Sequence, residues 1–122
     1  MDDSRLRFED AWSLASAIEG WLTGDQARVL FDAAGSLPAG STVVEIGSHQ
    51  GRSTVVLASA LPSGGRLVAN AVTLESEAVL AAWYAKLGGD LVRLSVQRAA
   101  PVGEFTGWRA MMPVTIWSVT KP

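Results

Sequence analysis

Apolar residues recur at helical spacing in the first forty residues of the chain. Between residues 8 and 18 they fall at intervals of three and four, which predicts an amphipathic helix. Thr23 and Gln26 have the S/T-x-x-E/Q spacing of a capping box, so we expect a second helix from about Asp25 to Ala34. Gly35 favours the end of that helix, because glycine is common just past the last helical turn.

Beyond residue 40 the pattern changes to short β-branched runs separated by helical segments. The first of these runs, residues 42–46, suits a strand that is buried on both faces. Strands are predicted at Thr42–Ile46, Arg66–Asn70, Leu91–Val96 and Val114–Val119, and helices at Arg52–Leu61 and Leu74–Leu87. This alternation predicts an α/β fold, a Rossmann-like parallel sheet of about four strands with helices ahead of it.

The length of 122 residues allows a single domain, in which residues 1–40 form a helical segment and residues 41–122 the Rossmann-like half. The chain has no cysteine and one histidine, so we expect no disulfide, no thiolate nucleophile and no metal site. Ten basic and twelve acidic residues argue against nucleic acid or an anionic membrane as partner. Without a signal peptide or spanning segment, the expected location is cytoplasmic.

The segment best suited to bind a ligand is residues 45–54, which join the first predicted strand to the next helix. Ligands of open parallel sheets bind at the carboxyl ends of strands, and glycines allow close approach to the backbone. A phosphate-binding P-loop is rejected, because only three residues separate Gly47 from Gly51 and Arg52 replaces the lysine. A dinucleotide fingerprint needs glycine where His49 stands, so a nucleotide-binding Rossmann module is a weaker alternative.

Residues 43–54, which read Val-Val-Glu-Ile-Gly-Ser-His-Gln-Gly-Arg-Ser-Thr, resemble the first motif of class I S-adenosylmethionine-dependent methyltransferases. The likeness is greatest to the branch whose motif is V-E-I-G-S-x-x-G-R-S, and residues 20–23 and 65–69 are also similar to that branch. The resemblance spans roughly residues 20–97. It implies S-adenosylmethionine as cofactor and methyl transfer to a small-molecule oxygen or nitrogen acceptor.

The resemblance also implies roles for five residues of this segment. Gly47 and Gly51 would let the loop wrap around the methionine part of the cofactor. Glu45 would organise the loop and the ammonium side of the cofactor. Ser48 and Ser53 would offer hydroxyl or amide groups to its carboxylate.

Two positions beyond the loop complete the predicted cofactor site. Family members usually end the second strand with an acid that binds the ribose hydroxyls, whereas this sequence has Asn70, so we expect weakened ribose binding. Gln97 follows the third predicted strand, where the family places adenine contacts. His49 is interpreted as a loop residue near the cofactor rather than a catalytic base, and no catalytic residue is assigned.

The predicted sheet also departs from the family. A complete member has seven strands in the order 3-2-1-4-5-7-6, and this chain supplies about four. Its last strand is expected beside the first, where Val114–Val119 would form an exposed apolar edge that pairs with another chain. We therefore expect a homo-oligomer through this edge, or else a poorly ordered tail. The alternative to an enzyme is a non-catalytic, truncated methyltransferase-like module that acts in binding or oligomerisation.

Several side chains are expected to be structural. Trp83 lies on the apolar face of its predicted helix and is assigned to the core. Trp12 and Trp21 could pack over the cofactor site or over the sheet, and the sequence leaves both open. Glu75 and Glu77 are expected to be solvated charges that the dipole favours at a helix start.

Overall fold

The computed structural model describes residues 6–47 and 49–122 and confirms the α/β class, with helices and strands close to the predicted positions. The helices of these ranges are α1 (Phe8–Ser16), α2 (Gly24–Gly35), α3 (Arg52–Ala60) and α4 (Leu74–Leu87). The strands are β1 (Thr42–Glu45), β2 (Arg66–Ala71), β3 (Asp90–Leu94), β4 (Gln97–Val102), β5 (Phe105–Ala110) and β6 (Val114–Thr120).

The N-terminal helices pack on α3. The predicted capping box is confirmed, since Thr23 Oγ1 accepts from the Gln26 N–H at 3.2 Å and Gln26 Oε1 accepts from the Thr23 N–H at 3.0 Å. Ala15, Ala27 and Val56 form a fully buried cluster where the three helices meet. Within the described ranges, no helix has both the length and the apolar character needed to cross a bilayer.

Four strands form one mixed sheet in the order β1-β2-β6-β3. β1 and β2 are parallel, as predicted, whereas β6 runs antiparallel to both of its neighbours. The prediction of a wholly parallel sheet is therefore wrong at β6. The physical reason is the connection, because β6 follows a hairpin and no helical crossover carries the chain back to the other end of the sheet.

β6 lies in the interior of this sheet, hydrogen-bonded to β2 on one side and to β3 on the other. Its predicted place beside β1, with Val114–Val119 as an exposed edge, is wrong. Both hydrogen-bonding sides of β6 are already occupied, so an oligomer cannot form through that edge. The edges of the sheet are β1 and β3 instead, and a homo-oligomer remains a prediction that needs another surface.

The strand order shares one feature with the family order given above. In the family order 3-2-1-4-5-7-6 the last strand lies between the fifth and the sixth, and here β6 lies between β2 and β3 in the same way. The likeness is one of topology alone, and β1 is paired directly to β2.

Both helices that pack on the sheet lie on one of its faces, which we call the covered face. Its strand residues Leu67, Ala69 and Trp117 are at most 1% exposed and pack with Leu61 and Leu80. Trp83 packs against this cluster, 5.7 Å from Trp117 between ring centroids, which confirms its assignment to the core.

The alternate residues of the same strands point to the opposite face, which we call the open face. Its aliphatic members are only half-buried or are exposed, and they are Val44, Val68, Val92, Leu94, Val114 and Ile116. The prediction that the first strand is buried on both faces is therefore wrong for Val44, which is 60% exposed.

β4 and β5 form a separate antiparallel hairpin that the sequence analysis did not predict. Gly103 and Glu104 are the two-residue connection, and Gly103 has a φ of 59°, as the first central residue of a type II′ turn requires. Pro101 and Gly107 lie within the strands and obscured this signal, because both residue types are depleted in strands.

Candidate functional site

The backbone of the turn between β1 and α3 requires glycine at two positions. Gly47 has a φ of 76° and Gly51 a φ of 93°, in the region that favours glycine. A Cβ on Gly51 would also lie 2.8 Å from Cη2 of Trp83, so both space and backbone select glycine there. A Cβ on Gly47 would meet no atom within 4 Å. Gly47 therefore leaves open space in which a ligand can approach the backbone.

Glu45, at the end of β1, is bound by the first turn of α3. Its carboxylate accepts hydrogen bonds from the hydroxyls of Ser53 and Thr54, and Thr54 is fully buried. This geometry fits the predicted role of organising the loop. Because the Ser53 hydroxyl donates to Glu45, its backbone N–H is the better group for the predicted contact with a ligand carboxylate.

Asn70 reaches the turn from the end of β2. Its Oδ1 accepts a hydrogen bond from the Gly47 N–H at 2.8 Å. The contact arises because β1 and β2 are parallel neighbours, with Glu45 in register with Ala69, so their carboxyl ends meet. Asn70 is thus a positioning residue for the turn, and one lone pair of its only acceptor oxygen is engaged before any ribose binds.

Two predicted site residues are not placed at this turn by the structure. Gln97 is exposed at the start of β4, where it pairs with Ala110 in the separate hairpin. Ser48 lies outside the described residues. The residues that the structure brings together are Glu45, Gly47, Gly51, Ser53 and Asn70.

Arg52, the first residue of α3, is a packing residue. Its Nη1 donates to the carbonyl oxygens of Ile18, at 3.2 Å, and Gly20, at 3.0 Å. The guanidinium carbon lies 4.9 Å from the ring centroid of Trp12. Arg52 therefore ties the α1–α2 connection to α3, and Trp12 belongs to this helical cluster rather than to the turn.

Trp21 and His49 form an exposed aromatic pair beside the turn. Their ring centroids are 5.6 Å apart, and Trp21 is 90% exposed. Tryptophan is highly buried on average, so a side chain this exposed offers unusual apolar surface. His49 thus has Trp21 as an aromatic neighbour, and its interpretation as a loop residue stays a prediction.

The sequence analysis missed a polar cluster that joins α4 to the sheet. The Glu77 carboxylate, expected to be solvated, accepts hydrogen bonds from Thr115 of β6 and Arg93 of β3. These bonds lower the pKa of Glu77, with the Thr115 hydroxyl as the larger cause and Arg93 as the next. The partners lie 38 and 16 residues away along the chain, so no local pattern signals the contact.

A largely apolar cavity of about 570 Å³ lies between α3, α4 and β6, away from this turn. Trp83 and Trp117 line it, together with Val55, Leu61 and Leu67. The described residues of the turn do not contribute to its lining. The turn is therefore a surface site, and the cavity is a separate feature of the covered face.

Comparison with known proteins connects the chain to a family described as "Precorrin methyltransferase domain", whose profile matches residues 24–121. A precorrin-6Y C(5,15)-methyltransferase (decarboxylating) from Sinorhizobium sp. is 61% identical over 62 residues, which cover 51% of this chain and 15% of that protein. The protein of the same description from Mycobacterium tuberculosis is 62% identical over 61 residues, which cover 50% and 16%. The chain thus spans a small part of these relatives.

Two solved structures share the fold of this chain. A domain described as a precorrin-6Y C5,15-methyltransferase from Corynebacterium diphtheriae has a TM-score of 0.66 and 32% identity, over 77% of this chain and 55% of that one. The C-terminal domain of the Rhodobacter capsulatus precorrin-6Y C5,15-methyltransferase has a TM-score of 0.50 and 24% identity, over 87% and 95%. The second likeness supports the fold alone.

Proposed function

Because the chain belongs to the precorrin methyltransferase domain family, we propose that it binds S-adenosylmethionine at the β1–α3 turn and serves methyl transfer to a precorrin. The acceptor is taken from the names of the relatives, which place the methyl groups at positions C5 and C15 of precorrin-6Y. The proposed acceptor atom is therefore carbon in a tetrapyrrole, in place of the small-molecule oxygen or nitrogen expected from the sequence. Since the chain spans only 15% of the Sinorhizobium protein, that protein's full activity is not assumed.

The observation that carries the proposal is the fixed shape of the turn. Hydroxyls of Ser53 and Thr54 hold Glu45 from one side, and Asn70 holds the Gly47 amide from the other. A site held in its binding shape loses less conformational entropy when a ligand arrives. The turn is thus preorganised for a ligand that contacts its backbone.

The residues present fit the methionine end of the cofactor. The open space at Gly47 admits a ligand to the backbone, and the start of α3 directs N–H groups and a partial positive charge toward the turn. That arrangement suits a carboxylate. Glu45 places a negative charge nearby, which suits an ammonium group. When bound, S-adenosylmethionine supplies an electrophilic methyl group on a sulfonium.

Orientation is the main contribution that these residues can make to methyl transfer between two bound molecules. Trp21 offers an exposed indole face beside the turn, and a conjugated macrocycle can stack on such a face. The contact with His49 restricts the position of that indole. Trp21 is therefore the proposed contact for the acceptor, and the turn is the proposed contact for the methyl donor.

The cofactor site is tested by calorimetric titration of the 122-residue chain with S-adenosylhomocysteine. The wild-type chain is expected to bind, and Gly47→Asp is expected to abolish binding, because its side chain fills the open space and repels a carboxylate. Gly40→Asp is the matched control, since Gly40 has a φ of 80° and equally open surroundings but precedes β1. It should bind as the wild type does.

Two outcomes would count against the cofactor site. A folded wild-type chain that shows no heat up to millimolar ligand would leave the turn as a structural element and favour the non-catalytic alternative. Equal loss of binding in Gly40→Asp and Gly47→Asp would mean that backbone strain, rather than the site, explains the result.

The acceptor is tested separately by incubating the chain with precorrin-6Y and S-adenosylmethionine and measuring the product by mass spectrometry. A mass gain of one or two methyl groups is expected. Binding of S-adenosylhomocysteine without any mass gain would retain the cofactor site and reject the acceptor.

A further inference from the structure

The open face presents a group of neighbouring aliphatic side chains to water. Val44 is 60% exposed, Val92 47% and Leu94 48%, while Val68 and Ile116 are half-buried between them. They lie on adjacent strands of one sheet, so the exposed apolar surface is continuous. Continuous apolar surface on a folded domain marks a site of association.

Two charges lie at one end of this face, on opposite sides of β6. Arg66 is in register with Thr120, and Asp90 is in register with Ser118. The two charges therefore lie on the strands that flank β6 and are offset by two residues along it. Arg66 Nη2 donates to Ser118 Oγ at 3.2 Å. Within residues 6–47 and 49–122, neither charge takes part in an ion pair.

We propose that the open face packs against the same face of a second copy of this chain, related by a two-fold axis parallel to β6. Such an axis lays β2 of one copy over β3 of the other, with the same ends of the two sheets together. Arg66 of each copy then lies about 7 Å along the strand direction and about 10 Å across the interface from the other copy's Asp90, a separation that the arginine and aspartate side chains span together. Both charges gain a partner, twice per dimer.

The positions of Arg66 and Asp90 favour this axis over a two-fold axis that runs across the strands. A two-fold axis across the strands would bring Arg66 to the opposite end of the partner sheet, where Leu94 and Val114 pair. Both charges would then be desolvated without a partner, which is strongly unfavourable. With the axis along β6, the two Ile116 side chains meet at the centre, and twisted sheets pack in this aligned manner at about 30°.

The proposal is tested by sedimentation velocity of the full 122-residue chain over a range of concentrations. The wild type is expected to reach twice its mass of 12.9 kDa. Arg66→Asp and Asp90→Arg should each weaken association by about tenfold or more, because each converts two attractive pairs into two repulsive ones. The double variant Arg66→Asp/Asp90→Arg should restore association close to the wild-type level.

Arg98→Asp is the control for net charge, because it makes the same change as Arg66→Asp on the separate hairpin. It should leave association unchanged. A wild-type chain that is folded by circular dichroism and monomeric at all concentrations would overturn the proposal, as would a double variant that does not recover. Weakened association in Arg98→Asp equal to that in Arg66→Asp would also overturn it, since net charge would then be the cause.

Discussion

The covered and open faces of the sheet are formed by alternate residues of the same strands, with similar aliphatic content. Leu67 and Trp117 on the covered face are 1% exposed, whereas Val44 and Val92 on the open face are 60% and 47% exposed. The difference arises because α3 and α4 both pack on the covered face. The comparison teaches that a β-branched strand does not by itself show burial on two faces, since burial depends on where the connecting helices lie.

The largest expected effect contrasts neighbouring residues of β6 that point to opposite faces. Trp117→Ala should lower the free energy of unfolding by about 3–5 kcal/mol, because it leaves a cavity on the covered face. It also removes the bond from Trp117 Nε1 to the Gly88 carbonyl oxygen, 2.9 Å long. Ile116→Ala should lower the free energy of unfolding by only about 1 kcal/mol at a concentration that keeps the chain monomeric. Urea titration measures both, and equal losses would contradict the distinction between the faces.

The two glycines of the turn provide a similar contrast, because Gly51 packs against Trp83 whereas Gly47 has open surroundings. Gly51→Ala should destabilise the chain by about 2–3 kcal/mol, because strain at a φ of 93° adds to the clash with Trp83. Gly47→Ala carries only the strain at a φ of 76° and should lose about 1 kcal/mol. Thermal unfolding monitored by circular dichroism would rank them, and the reverse order would refute the packing of Gly51 against Trp83.

Asn70 is the open-face residue that contacts the turn, so its removal tests whether this face affects the site. Asn70→Ala removes the acceptor for the Gly47 N–H and should raise the dissociation constant for S-adenosylhomocysteine by about fivefold, from the loss of about 1 kcal/mol. Asn70→Asp keeps an acceptor oxygen at the same position and should retain the wild-type shape of the turn. Calorimetry measures the dissociation constant for S-adenosylhomocysteine. An unchanged constant in Asn70→Ala would contradict the positioning role of Asn70.

The smallest effect concerns pH and the bonds that hold α4 over the covered face. The pKa of Glu77 is lowered in the folded chain, by Thr115 first and Arg93 second, so its contribution is present above the unfolded pKa of about 4.3. That contribution is lost as the pH falls through the folded pKa. Glu77→Gln should therefore reduce the drop in melting temperature between pH 7 and pH 3, measured by thermal unfolding.

Glu75→Gln provides the matched comparison for that experiment, since it removes a carboxylate from the same helical turn of α4. The acid-side drop in melting temperature should remain close to the wild-type value in this variant. A drop that is unaffected by Glu77→Gln would show that the bonds to Thr115 and Arg93 do not contribute to acid stability.

The sequence predicted those parts of the fold that depend on neighbours along the chain. The capping box of Thr23 and Gln26 and the turn at Gly47 and Gly51 are local patterns, and the structure contains both. The position of β6 could not be predicted in the same way. The hairpin before β6 reverses the chain and so sets its direction, whereas its place between β2 and β3 depends on pairing with strands that are distant along the chain.

The predictions for the candidate site also depended on whether the contact was local or long-range along the chain. Glu45 and Ser53 are eight residues apart and could be placed together from the strand–turn–helix pattern. Asn70 is 23 residues from Gly47, and the contact between them depends on direct pairing of β1 with β2. Gln97 was assigned to the site because the hairpin that contains it was not foreseen.

The central position of β6 also has a consequence for synthesis on the ribosome. β3 leaves the exit tunnel before β6, yet β6 is the strand to which β3 is hydrogen-bonded in the four-stranded sheet. Until the residues of β6 have been translated, the backbone groups of β3 have no strand partner in that sheet, and the indole of Trp117 is missing from the core. The nascent chain thus completes this sheet only after β6 has been translated, which makes β3 dependent on a strand that follows it in the chain.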